Sequence, residues 1–198
     1  MSSIFLVSYA SLWILSMAEA LLVFLLYRHF GIVALGTIEG VQRDGLAIDT
    51  EAPPFAAVTS DGVPIRWHPV EGRQSLLLFA SPDCQPCADI LPRIAALVPE
   101  RPDLAVVAVV AGPQEIARRL AEKFEANYEC LADDGSGAFD LYRVRVTPFA
   151  FIVDGSGRIK SKGLCNSPDR LQQLLMSAAG GQEALTTERK SLAMEVKA

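Results

Sequence analysis

Two cysteines two residues apart, Cys84-Gln85-Pro86-Cys87, are the arrangement in this chain with the most definite chemistry. A thiolate attacks a disulfide, and a second thiol one helical turn away can displace the mixed disulfide that results. The pattern carries that chemistry when a helix begins at its first cysteine. A helix N-terminus presents unpaired N–H groups and the positive end of a dipole, which hold such thiols at a pKa within about 3.5–7.5. The first cysteine is then the exposed one. Cys84 is therefore the expected nucleophile and Cys87 the residue that resolves the intermediate, with Gln85 and Pro86 shaping the turn between them. The same spacing is also half of many zinc sites. The second half is missing, because Cys130 and Cys165 are solitary and the two histidines, His29 and His68, stand apart. Neither metal nor organic cofactor is expected.

The flanking sequence supplies the elements that such a pair needs. Ser75–Ser81 is a short continuous apolar run, the pattern of a strand covered on both faces. Cys84–Val98 follows with helical spacing, Ile90, Leu91, Ile94 and Leu97 lying on one side. Leu104–Ala111 reads as a second buried strand, and Gly112-Pro113 opens a helix to about Phe124. A short strand at Tyr128–Leu131 and a short helix at Gly137–Tyr142 come next. Phe149–Val153 and Arg158–Leu164 flank Asp154-Gly155, a hairpin signal. Asn166–Ser177 forms a closing helix with Ser167 as N-cap and Pro168 at its first position. Before all of these, Phe55–Thr59 and Val63–Trp67 flank Asp61-Gly62 as a first hairpin. The alternation predicts an α/β fold, a mixed central sheet with helices on both faces. Thr147-Pro148 sits directly before a strand, where a missing ladder donor can be spared.

The chain has 198 residues, 51% of them hydrophobic, and a net charge of −5. That length suits one ordinary domain with short appendages. No run of Lys or Arg could neutralise a phosphate backbone, so nucleic acid is not an expected partner. Four cysteines do not make a disulfide-stapled miniprotein. The organisation expected is an anchor over 1–27, a linker over 28–50, the folded domain over 51–178 and a mobile tail over 179–198.

The excess of apolar residues is concentrated in Ile4–Leu26, long enough to cross a hydrocarbon core of about 30 Å as a helix. A cleaved leader is the competing reading, with Ala34-Leu35-Gly36 as its cleavage site. The start lacks a basic region, and the apolar run exceeds the usual length of about 7–15 residues, which favours an uncleaved transmembrane anchor. Glu19 inside the span marks either a helix partner or a tolerated protonated acid. Arg28 just after the span, taken alone, favours a cytoplasmic C-terminal domain.

Phe79-Ala80-Ser81-Pro82-Asp83-Cys84-Gln85-Pro86-Cys87, Pro92 and Thr147-Pro148 together resemble the thioredoxin superfamily over nearly all of residues 52–178. Within it, the apolar start, Glu51–Phe55 (EAPPF), Ser81-Pro82-x-Cys84 and Lys162-Gly163-Leu164-x-Asn166-Ser167 look like the membrane-anchored TlpA-like proteins, and in particular the MauD-like family of methylamine utilisation. The resemblance implies a thioredoxin-like fold, a cis Pro148 facing the cysteine pair, and Thr147 offering its backbone to substrate. It implies a single-pass protein of the inner membrane with its domain in the periplasm. The client implied is a Cys-rich protein, such as the methylamine dehydrogenase small subunit, with a redox partner in the membrane. Two positions depart from thioredoxin. Asp83 replaces the Trp before the first cysteine, and Leu78 replaces the buried acid.

Two other readings use the same residues. A peroxiredoxin-like peroxidase needs a P-x-x-x-[ST]-x-x-C element; Ser81 fits its hydroxyl, but Leu77 stands in the proline position. A copper or thiol chaperone would use both sulfurs without turnover. Cys130 and Cys165 are expected as small buried hydrophobes, with a structural bridge or second redox pair as the alternatives.

Overall fold

The computed structural model describes residues 3–34, 44–135 and 137–180. Most of the expected tail (181–198), Ser136, and the stretch 35–43, which holds part of the expected linker and of the cleavage site, lie outside them. Two compact units divide at Arg43/Asp44. The first contains helix α1, Ser3–Ala34, which continues past Tyr27 into residues expected to be linker. Its span Leu6–Leu25 has a mean hydropathy of 1.7, and none of it is buried by protein. An apolar helix with no protein over it is what a bilayer accepts, since its backbone groups are paired internally.

The second unit is a seven-stranded sheet in the order β2-β1-β5-β4-β3-β6-β7. Its strands are β1 (Phe55–Thr59), β2 (Pro64–Trp67), β3 (Gln74–Ala80), β4 (Leu104–Ala111), β5 (Glu129–Asp133), β6 (Phe149–Val153) and β7 (Ile159–Leu164). The three central strands β3, β4 and β5 run parallel. β1 and β6 join them antiparallel on either side, and β2 and β7 pair antiparallel with β1 and β6 at the edges. Between the parallel strands lie α2 (Gln85–Glu100) and α3 (Gln114–Lys123). Both crossovers step the same way along the sheet, so right-handed connections put both helices on one face.

On that face Leu76, Leu78, Leu104 and Val106 meet Ile90, Leu91 and Ile94 of α2. Leu171 and Ala178, from the closing helix α5 over 168–180, join the same cluster. Ser167 caps α5 as expected, its Oγ accepting the Arg170 amide. The opposite face is aromatic. Phe79 packs against Phe139 of the short α4 (Ala138–Leu141), Tyr142 and Phe151, and Tyr142 against Phe55 and Trp67. The carboxylate of Asp133 pins α4 there by accepting the amides of Gly137 and Phe139. The mixed sheet with helices on both faces is the expected architecture.

Two local features differ from the sequence reading. Residues 44–50, expected as linker, are fastened to the domain by backbone bonds. The Gly45 amide donates to Arg143 O, the Asp49 amide to Ile159 O, and the Ile159 amide to Thr50 O. Gly45 has φ +73°, and a Cβ there would lie 2.7 Å from Phe151 Cζ. In the β6–β7 hairpin the positive φ falls on Gly157, not on Gly155 of the Asp-Gly signal. Gly155 is required for a different reason: a Cβ would stand 2.7 Å from the carbonyl carbon of Gly72, whose amide donates to Gly155 O.

Candidate active site

Strand β3 ends at Ala80, and the chain turns through Ser81-Pro82-Asp83 before α2 begins. Cys84 is the N-cap of α2, with φ −94° and ψ 104°. Its Sγ accepts the Cys87 amide at 3.1 Å, the bond that an N-cap Ser or Asp oxygen makes to the third helical residue. Pro86 sits in the first turn, where its missing N–H leaves no bond unmade. Gln85 reaches along the surface to donate to Asp89 Oδ1 at 3.2 Å. Cys84 and Cys87 are joined as a disulfide, with Cα atoms 5.2 Å apart. Cys87 is 1% exposed, whereas Cys84 is half-buried at the surface.

The Thr147–Pro148 peptide is cis. Register places it: Phe149 pairs with Phe79, so Pro148 stands one residue beyond that pair, where β3 runs out toward the cysteine loop. Pro148 is buried and Thr147 is half-buried. The Pro148 carbonyl is held by the Cys165 amide at 2.9 Å, which ties this loop to the end of β7.

A groove of about 290 Å³ opens beside the disulfide. The Ser81–Cys84 turn forms one side, and the other is formed by Ile116, Arg119, Leu120 and Lys123 of α3 with Phe124. Sequence reasoning singled out none of these α3 residues. Their apolar members follow helical spacing, but nothing local indicates that this stretch faces the cysteines.

Beneath α2 the floor is hydrocarbon, since Leu78 is wholly buried among Ile90, Leu91 and Ile94. A proton leaving Cys87 therefore has no acid at position 78 to receive it. Cys130 and Cys165 are free and buried, not bridged. Burial, with the Glu129 carboxylate adding to it, pushes the Cys130 thiol up to about 12. Burial alone pushes the Cys165 thiol up to about 12. Both behave as small hydrophobes. Among the described residues no three His, Cys, Asp or Glu side chains gather as a metal site.

A thioredoxin-like sheet with a C-x-x-C pair capping the helix after β3, one of its parallel strands, and a cis-proline at the start of the neighbouring β6, defines the class of thiol–disulfide oxidoreductases. The chain belongs to the AhpC/TSA family, whose model matches residues 48–162. It is 28% identical to the methylamine utilization protein MauD of Paracoccus denitrificans, covering 98% of this chain and 100% of that one. It is 24% identical to the thiol-disulfide oxidoreductase ResA of Bacillus cereus, covering 61% of this chain and 72% of ResA. A solved structure, a putative thiol:disulfide interchange protein DsbE from Chlorobium tepidum, superposes with TM-score 0.61 at 22% identity. That alignment covers 67% of this chain and 98% of the other.

Proposed function

We propose that this protein is held in the inner membrane by α1, carries its domain in the periplasm, and exchanges disulfides with a Cys-rich client during that client's maturation. One observation carries the reading: Cys84 caps α2 at the surface, joined to a buried Cys87 and open to a groove. In the reducing direction the Cys84 thiolate attacks one sulfur of a client disulfide. That bond breaks, a mixed disulfide forms, and one client thiolate leaves. Cys87 thiolate then attacks Cys84 Sγ, releasing the second client thiolate and leaving the domain oxidised, two electrons having passed to the client. Oxidation of a client is the same path reversed. Isomerisation interposes attack by another client thiolate on the mixed disulfide. Thr147 offers its backbone to the client strand beside cis-Pro148. Electrons are restored or removed by a partner in the membrane.

The near full-length similarity to the methylamine utilization protein MauD supports a client in methylamine utilisation, and the methylamine dehydrogenase small subunit is the client that the family resemblance implies. The apolar helix supports the anchor. The experiment is to express Cys87→Ser in the native host and identify proteins trapped on Cys84 by mass spectrometry. A Cys-rich periplasmic protein is the expected capture. A broad set of partners would replace the dedicated role with general exchange, and no partner at all would overturn the exchange reading.

A further inference from the structure

The groove beside Cys84 has a charge character unlike the rest of the molecule. The chain carries a net charge of −5. Yet one wall of the groove presents two cations, Arg119 and Lys123, against the single carboxylate of Asp83. The two lie four residues apart on α3, so they share one helix face, and Ile116 and Leu120 form an apolar stripe beside them. Their neighbour Arg118 does not line the groove; it is held by Glu115 at 2.5 Å and by Glu122 at 2.8 Å. Arg119 stands 3.8 Å from the same Glu115 oxygen that Arg118 already holds, and its side chain is 67% exposed. Lys123 is exposed, with its ammonium 5.1 Å from the Phe124 ring centroid.

We propose that this groove seats the client segment flanking the reacting cysteine, and that Arg119 and Lys123 select segments with an acidic residue beside that cysteine. The inference rests on the exchange reading above and names its substrate class. A mixed disulfide on Cys84 holds the client chain at the mouth of the groove. Residues next to the client cysteine are then within one or two extended residues of α3, about 3.3–3.6 Å each. An Asp or Glu there meets two cations, and an apolar neighbour meets Ile116, Leu120 and Phe124. A basic flank meets like charge instead, which is how an interface rejects a wrong partner.

The test uses the full-length protein in detergent and two disulfide-bearing peptides that differ only in acidic or basic residues flanking the cysteine. The acidic peptide should exchange about tenfold faster by kcat/KM at low ionic strength, with the ratio shrinking at high salt. In Arg119→Glu/Lys123→Glu the ratio should invert, and in Arg119→Gln/Lys123→Gln, which leaves Asp83 as the charge lining the groove, it should fall to one or below. Because the ratio compares two peptides on one enzyme, any change in the reactivity of Cys84 cancels. Equal rates on both peptides, or a ratio unmoved by the substitutions, would overturn the selection. Failure of both peptides to exchange with the unsubstituted protein would instead bring down the exchange reading on which the proposal stands.

Discussion

The Cys87 amide donates to Cys84 Sγ at 3.1 Å, so the first cysteine caps the helix in which the second is buried. A thiolate makes that cap stronger than a neutral sulfur does, because a charged acceptor roughly doubles such a bond. Reduction therefore leaves Cys84 with a local reason to stay ionised.

Alkylation of the reduced protein checks this directly. Cys84 should react with iodoacetamide at a lower pH than an ordinary thiol, and Cys87, 1% exposed, should react far more slowly. Cys130 and Cys165, buried and pushed up to about 12, should stay unmodified until the domain unfolds. Peptide mapping gives the order, and labelling of Cys87 first would contradict the assignment of roles.

Removal of each sulfur separates the steps. Cys84→Ser should lose exchange by on the order of 10³-fold or more, and Cys87→Ser should halt as a stable mixed disulfide. Cys87→Ser should also reduce peroxide no faster than a free thiol. Rapid turnover there would favour the peroxidase reading. The structure gives a reason against it. Leu77, in the position where that chemistry wants a proline, is buried in a strand paired on both sides, a place that cannot spare an N–H.

The β6–β7 hairpin should be sensitive to acid through Asp154. Burial pushes its carboxyl up. The hydroxyl and amide of Ser156, the amide of Arg158 and the charge of Lys160 together outweigh this, and hold it below the usual carboxylate range. A depressed folded value gives stability that is complete above the unfolded value, near 3.9, and lost as pH falls through the folded one. Asp154→Ala should cost about 2–3 kcal/mol at neutral pH, since three donors lose their acceptor. It should also flatten the acid limb of stability against pH. Urea unfolding at pH 7 and pH 3 measures both.

Gly45→Ala tests whether residues 44–50 belong to the domain. The new Cβ meets two phenylalanine rings at 2.7 and 2.9 Å on a backbone of φ +73°. A loss of about 1–3 kcal/mol is expected. An unchanged melting temperature would mean that the segment is not fastened in solution.

Orientation is checked with reporters fused after Ala198. A phosphatase active only after export should be active there. Activity of a reporter that works only in the cytoplasm would refute the periplasmic placement and vindicate the lone vote of Arg28.

The legible parts of the fold were those where burial writes itself into composition. Leu76–Ala80 and Val106–Val110 are covered on both faces and carry uninterrupted apolar residues. The cysteine pair was legible because its spacing and its position after a strand are local facts. Residues 44–50 were not, since backbone hydrogen bonds hold them and leave no periodic trace in the side chains. Gly155 suggested the hairpin for the wrong reason: its constraint is the approach of Gly72, distant in sequence. Arg119 and Lys123 resemble any solvated helix face until the crossover of α3 brings them to the cysteines.

All four cysteines of the sequence are described, and only two communicate with each other. The domain is thus a redox store of capacity two, with no internal relay and no means of passing oxidation on to its other sulfurs. A titration against a glutathione buffer should follow a single Nernst curve for two electrons. The catalyst should also leave a mixture of shuffling clients without scrambling itself.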